Sequence, residues 1–443
     1  MVKKLFGTDG VRGLANTQLS AELAFRLGQA AVNYLGKHIL IGKDTRKSGD
    51  LLEFSLAAGI MSEGGTPELA GIIPTPALAL LVRDFKADGA IVVSASHNPP
   101  EYNGIKFFND KGLKLPDKLE ETLEDFVLSG ASDPLSRPLD GQVGSKKIRL
   151  DAQERYIEYA IRSSEPLSGL SVALDLAHGA AYQTSKQAFE RLGAKVFVIN
   201  DDFSGNDINV NCGSTHLKPL QELVVQTKAD IGFAHDGDAD RVLAVDENGE
   251  VLDGDHILAL AALDLKARGA LKENTLVTTV MANLGLKKFL NDLDIKLEET
   301  QVGDRYVLER MLEIGSVLGG EQSGHIIFLD FNTTGDGLLT ALQLASIIKR
   351  SGKKASELRA LMQKYPQVLI NVKVENKEAY ATHHKLQEKV ASINAALGDE
   401  GRVLVRPSGT EPLVRVMVEA QDIDQATKTA QLLADEIAKE LNA

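Results

Sequence analysis

The chain has 443 residues, 43% hydrophobic and 25% charged, a balance that describes an ordinary soluble globular protein. At ~150 residues per domain, that length divides into three or four cores. Its 62 Asp and Glu exceed its 49 Lys and Arg, and the net charge of -13 argues against nucleic acid or an anionic membrane surface as the main partner. An anionic ligand would have to be held by Arg and Lys clustered locally against that field. Cys212, the only cysteine, excludes an intrachain disulfide; it lies beside turn formers, where a bystander thiol is expected, and a cytoplasmic location is the default. The opening residues break into glycines before an apolar segment can form, and no apolar run reaches the ~18 residues of a membrane span, so neither a signal peptide nor a span is expected.

After GTDGVRG, residues 7–13, Ser20 can cap a helix whose apolar positions Leu23, Leu27, Ala31 and Leu35 recur at helical spacing. A short strand, Ile39 to Ile41, runs into GKDTRKSGD. A helix from about Asp50 stops at Gly64-Gly65, and another starts after Pro74. The β-branched run Ile91 to Val93 then empties into Ser-Ala-Ser-His-Asn-Pro-Pro, presenting the hydroxyl of Ser96 in an exposed turn beyond the strand's C-terminal end. Open α/β sheets keep their chemistry there, although a serine in a polar turn ordinarily serves only as a turn former. Asn103-Gly104 reads as a tight turn that swings Lys106 back toward the serine.

Leu128 to Lys147, rich in Gly, Pro and Ser, reads as a linker. A second module follows, with strands Val172 to Leu176, Val196 to Ile199 and Ile231 to Ala234, helices from about Tyr182 to Leu192 and Leu220 to Thr227, and a hairpin at Asn248-Gly249. A third repeats the rhythm with strands Leu276 to Val280 and Leu297 to Gln301. A helix breaks at Pro366, and the last ~75 residues alternate strand, a helix over about Glu378 to Leu397, two strands and a closing helix. The expected fold is α/β: three related mixed modules, bounded near 1–150, 151–254 and 255–365, and a smaller α+β domain over 366–443.

HDGDADR sets Asp236, Asp238 and Asp240 at alternate positions just after a strand. Carboxylates so close repel one another unless a cation neutralises them, and hard oxygen donors select Mg2+. An EF-hand loop would place Glu247 correctly, but Arg241 stands where that loop needs glycine. An aspartate-nucleophile phosphatase, phosphorylated on Asp236, remains open. RPSGTEPLVRV puts Arg406, Ser408, Gly409, Thr410 and Arg415 in a loop between two strands, the donors a phosphate dianion needs; an exposed hairpin is the plainer alternative. GGEQSGH, residues 319–325, offers polar groups suited to sugar hydroxyls, a weak signal in isolation. Arg12, Lys43, Arg46, Lys106 and Arg241, all in turn-rich segments, could supply the local positive field.

Together GTDGVRG, SASHNPPEYNGIK, DGDADR, GGEQSGH and RPSGTEPLVRV resemble the α-D-phosphohexomutase superfamily in order and over essentially the whole chain. Within it the chain is most similar to the bacterial branch acting on glucosamine phosphates. VGDRYV, residues 302–307, stands where the phosphomannomutase/phosphoglucomutase branch typically has a Thr-Gly-His-Ser type sequence, and Gln322 where that branch has Met. The resemblance implies four domains around a central cleft, with Ser96 as the phosphorylated serine and Asp236, Asp238, Asp240 and the phosphoserine as ligands of one Mg2+ per subunit. It further implies Glu321, Ser323 and His325 as sugar contacts, Arg406, Ser408, Gly409, Thr410 and Arg415 as phosphate contacts, and Arg12 and Arg241 as charge stabilisers. Lys106 is the leading general acid or base, with His325 and His97 as alternatives. The implied activity interconverts glucosamine 6-phosphate and glucosamine 1-phosphate through a 1,6-bisphosphate, supplying UDP-N-acetylglucosamine and cell-wall precursors. Glucose or glucosamine 1,6-bisphosphate is the implied activator and a homodimer the implied assembly. The runners-up are a phosphomannomutase/phosphoglucomutase, a Mg2+-dependent sugar phosphatase and a non-catalytic sugar-phosphate sensor.

Overall fold

A computed structural model describes residues 5–7, 9–130, 136–408 and 412–442. Two compact units emerge, one within 1–281 and 295–361, the other within 282–294 and 362–443.

The first unit holds three sheets. Strands β1 (Phe6–Gly7), β2 (Gly10–Leu14), β3 (His38–Lys43), β4 (Thr66–Ile72), β5 (Gly89–Val93), β6 (Tyr102–Asn109) and β7 (Lys147–Ile148) form one of order β1-β2-β6-β5-β3-β4-β7. Its centre, β5-β3-β4, is parallel, and β5 is buried at every position, which is why it reads as an unbroken apolar run. The helix Ala21–Tyr34 begins as the sequence indicates, with the Ser20 side chain accepting from the Leu23 amide. Antiparallel β6 then returns alongside β5, with Val92 opposite Lys106.

That return differs from the expected turn. Asn103 and Gly104 lie inside β6, and the reversal is made by the residues before Tyr102. Asn103 is buried, its amide donating to Ser48 Oγ at 2.9 Å, and a Cβ at position 104 would sit 2.4 Å from the Ser94 carbonyl oxygen. The glycine serves close strand approach, not a reversal. The expected linker also departs from its reading, because its end is the edge strand β7, paired with β4.

The second sheet, β12-β11-β10-β8-β9, joins β8 (Ser171–Asp175), β9 (Lys195–Ile199), β10 (Ile231–His235), β11 (Val242–Asp246) and β12 (Val251–Leu252); β10-β8-β9 is parallel and the β11-β12 hairpin falls where Asn248-Gly249 predicts. The third, β14-β13-β15-β16, comprises β13 (Thr275–Thr279), β14 (Lys296–Thr300), β15 (Leu318–Gly320) and β16 (Ile326–Phe328). In all three modules an antiparallel strand follows the parallel core and carries the chain away from a loop that bears expected site residues.

In the second unit β17 (Gln367–Lys373), β18 (Gly401–Pro407) and β19 (Leu413–Ala420) form an antiparallel sheet of order β17-β19-β18. The closing helix Ile423–Leu441 is capped by Asp422 and buries Ala426, Ala430, Leu433 and Ile437, a helical stripe. The helix expected from Glu378 is interrupted: Lys377–Thr382 is a 3-10 segment, and His383, whose ring accepts from the Leu386 amide, starts a new helix, His384–Leu397.

Candidate active site

Ser96 is not exposed but 1% accessible, and its backbone is left-handed, with φ at 52°. A non-glycine residue holds that conformation at a cost of order 1–3 kcal/mol, so its surroundings must enforce it. They do: its amide donates to Ser94 Oγ at 2.9 Å, and its carbonyl accepts from Arg46 at 3.0 Å and Asn209 Nδ2 at 2.9 Å. The Arg46 guanidinium also donates to the carbonyls of Asn98, Pro99 and Tyr102 and to Asp44. So restrained, Ser96 Oγ donates to Asp236 Oδ2 at 2.7 Å and lies 3.3 Å from His97 Nδ1.

Asp236 follows β10 directly, and one carboxylate oxygen from each of Asp236, Asp238 and Asp240 falls within 4.8 Å of the others, all three residues being buried. Burial, then repulsion from Asp240 and Asp238, pushes the Asp236 carboxyl well up. Oδ1 of Asp238 and Oδ1 of Asp240 are buried without a hydrogen-bond partner among the described residues. Hard oxygen donors, crowded and partly unsatisfied, fit a divalent cation such as Mg2+. His235 braces the loop as a neutral ring: Ser185 Oγ is 2.9 Å from Nε2, the Arg241 carbonyl faces Nδ1 at 3.4 Å, and burial pulls its pKa down to about 4.

Lys106 stands between three carboxylates, 2.9 Å from Asp238, 3.0 Å from Asp9 and 3.8 Å from Asp240. Burial opposes its charge, but these neighbours outweigh burial and raise its pKa, so here the side chain is an ammonium. Asp9, also bonded to Arg12, shares its other oxygen with Lys114 at 2.7 Å, and Lys114 reaches Asp304 at 2.6 Å. Despite burial, Lys106, Lys114 and Arg12 hold the Asp9 carboxyl well below its ordinary value. Asp304 lies 3.5 Å from His325 Nε2, which accepts from the Gly335 amide at 2.9 Å; a neutral ring therefore carries its proton on Nδ1, 3.7 Å from Asp240. The two carboxylates draw that ring toward its charged form against the cost of burial. His97 shifts the other way, pulled down to about 4 by burial and then by Arg241 and Arg12.

Arg12, His97, Lys114, Arg241, Asp304, Glu321 and His325 line one cavity of about 560 Å3. Glu321 accepts from the Gly303 amide at 3.2 Å, whereas Ser323 is exposed and outside that lining. Two expected members of the positive field are committed elsewhere: Lys43 is bound to Asp50 and Glu53, and Arg46 is spent on the serine loop. Asp9, Lys114 and Asp304 were not anticipated. Asp9 and Asp304 lie in GTDGVRG and VGDRYV, so position within those motifs was the available signal; Lys114 carried none.

Within the second unit, Arg406 and Arg415 face each other across β18 and β19. Burial and then the neighbouring Arg415 lower the Arg406 pKa. Ser408 is buried, its carbonyl accepting from Lys377 at 2.5 Å, while Gly409 and Thr410 lie outside the described residues.

Comparison with known proteins fits this arrangement. The chain matches phosphoglucomutase/phosphomannomutase α/β/α domains I, II and III over residues 3–133, 154–249 and 253–365, and the C-terminal domain of that family over 369–436. Phosphoglucosamine mutase of Clostridium botulinum is 52% identical over 447 residues, 99% of this chain and 100% of that one; its counterpart in Caldicellulosiruptor bescii is 51% identical over 448. Among solved structures, a phosphoglucomutase/phosphomannomutase family protein of Burkholderia thailandensis superposes with a TM-score of 0.81 at 24% identity, covering 98% of both chains. Aspergillus fumigatus N-acetylphosphoglucosamine mutase, in complex with GlcNAc-6P and magnesium, superposes with a TM-score of 0.72 at 18% identity, covering 99% of this chain and 96% of that one. The class is thus an α/β mutase, an isomerase. This chain belongs to the phosphoglucomutase/phosphomannomutase family. Among the described residues no helix is long and apolar enough to cross a membrane.

Proposed function

We propose that the chain interconverts glucosamine 6-phosphate and glucosamine 1-phosphate, with Ser96 as the phosphoryl carrier. The observation that carries this is the Ser96 hydroxyl held 2.7 Å from Asp236 by a strained, fully braced backbone, in a chain about half identical to phosphoglucosamine mutases. A division into four domains at 150, 254 and 365 goes with it, with the phosphoserine, metal, sugar and phosphate loops in domains one to four in that order. A cytoplasmic homodimer, primed by glucose or glucosamine 1,6-bisphosphate, belongs to the same reading.

In the forward half-reaction the free sugar hydroxyl attacks the phosphorus on Ser96. A new O–P bond forms as the Oγ–P bond breaks, and the hydroxyl proton passes to a base. His97 stays neutral at neutral pH and sits beside Ser96 Oγ, so it is available for that proton, with His325 the alternative. Lys106, held as an ammonium, stabilises charge on the transferring group and can give a proton to Oγ as the Oγ–P bond breaks, taking it back when Oγ attacks the other phosphate of the bisphosphate while the base gives its proton to the departing sugar oxygen. One Mg2+ per subunit, held by Asp236, Asp238 and Asp240, would supply further positive charge at that phosphoryl group. Arg12 and Arg241 add positive charge from the cavity wall, where Glu321 orients the sugar; Ser323, outside that lining, is the further sugar contact that the family resemblance implies, and Arg406, Ser408, Gly409, Thr410 and Arg415 are the contacts it implies for the non-reacting phosphate. Reversal from the bisphosphate returns the other phosphate to Ser96 and releases product.

Peptide mass mapping of the purified protein should find one phosphate on Ser96, and Ser96→Ala should abolish turnover with the fold retained. Phosphate on Asp236 with none on Ser96 would make the protein a phosphatase instead. Competing kcat/KM values should favour glucosamine over glucose and mannose phosphates; equal values would reduce the claim to a general hexose-phosphate mutase.

A further inference from the structure

The loop between β9 and β10 reaches the serine loop and commits one side chain there. Asn209, itself left-handed with φ at 62°, donates from Nδ2 to the Ser96 carbonyl at 2.9 Å and to the Asn98 carbonyl at 3.2 Å. Its own Oδ1 is buried with no hydrogen-bond partner among the described residues. Packing alone would not favour an amide here, since one end of it is left unsatisfied. What the amide accomplishes is local. Arg46 takes one lone pair of the Ser96 carbonyl and Asn209 the other, so the peptide plane between Ser96 and His97 cannot rotate. That plane sets ψ of Ser96 and φ of His97, the two residues whose side chains meet at Oγ. A Cβ at Gly237, between two of the metal-site aspartates, would lie 2.8 Å from both the Ser96 carbonyl oxygen and Asn209 Nδ2. Serine loop, Asn209 and carboxylate loop are therefore in direct contact at one carbonyl.

We propose that Asn209 is a positioning residue for phosphoryl transfer: through the Ser96 carbonyl it fixes the peptide plane that joins Ser96 to His97, and with it the placement of Oγ and the His97 ring beside the carboxylate triad. The proposal rests on Ser96 being the phosphoryl carrier. Relaxation of Ser96 to an ordinary backbone conformation would move Oγ away from Asp236, and small misplacements of reacting atoms are costly.

The test uses the full chain loaded with Mg2+ and primed with glucose 1,6-bisphosphate, comparing wild type, Asn209→Ala and Asn209→Asp. Aspartate keeps the shape and removes the donors. Both variants should lose about 10²-fold in kcat, with KM for glucosamine 6-phosphate within about two-fold of wild type and the melting midpoint preserved. The phosphoserine 31P resonance should shift or broaden, which a remote structural change would not cause. Wild-type kcat in Asn209→Asp would overturn the proposal, as would a loss confined to KM or an unfolded Asn209→Asp protein. Phosphate on wild-type Ser96 together with a normal Asn209→Asp would sink this inference alone; no phosphate on wild-type Ser96 would sink the reading beneath it as well.

Discussion

At Ser96 the amide, carbonyl and hydroxyl each have a named partner, and all five N–H groups of Arg46 are spent on or beside that loop. Arg406 and Arg415, by contrast, lie directly opposite each other on adjacent antiparallel strands, where like charges destabilise the pair. The first region is held in one geometry by its own hydrogen bonds, which is what phosphoryl transfer at Ser96, as proposed, would require. The second sets two cations side by side, and an anion placed there would ease their repulsion, in keeping with the proposed grip on phosphate. On the proposed function, one loop is built for geometry and the other for charge.

The comparison breaks hardest at Arg46. Arg46→Ala leaves Asp44 buried without its guanidinium and strips four loop carbonyls of a donor, so urea unfolding should show about 3–5 kcal/mol of lost stability. An unchanged midpoint would mean the loop is not braced as described. His235, beneath the carboxylate loop, gives a pH signature. Its pKa is depressed from 6.5 to about 4, so the stability of the neutral ring is fully present above about pH 6.5 and is lost as pH falls toward 4, roughly 3 kcal/mol in all. His235→Gln should flatten the stability profile in that window; an equally steep profile would assign the acid sensitivity elsewhere. The smallest effect belongs to the charge-built loop. Arg415→Ala should raise KM about tenfold with kcat nearly unchanged, and added salt should raise the wild-type KM. A fall in kcat equal to the rise in KM would show that the loop shapes the transition state too.

Where a strand delivers a side chain directly, sequence sufficed: Ile91 to Val93 leads to Ser96, Ile231 to Ala234 leads to the aspartates, and Lys106 lies on the strand paired with β5. Partner choice was not legible. Lys43 and Arg46 showed their charge but not the carboxylates and carbonyls that consume it, and Lys114 meets Asp304 across 190 residues of chain. Asn103-Gly104 misled for a different reason: the dipeptide that suits a hairpin turn also suits a place where two strands must nearly touch.

The Gly- and Pro-rich segment after the first module has a consequence for dissection. Beyond residue 136 it is a strap: the Gly144 amide donates to Met61, Lys147 and Arg149 neutralise the 3% exposed Glu68 at 3.3 and 2.7 Å, and the Arg149 amide extends the pairing to Leu69. A first module excised at residue 133, where its family match ends, would bare the β4 edge and a buried carboxylate together, an invitation to edge-to-edge aggregation. The stretch that looks most like a place to cut is the selvedge of the sheet, and a portable first module has to carry it through Arg149.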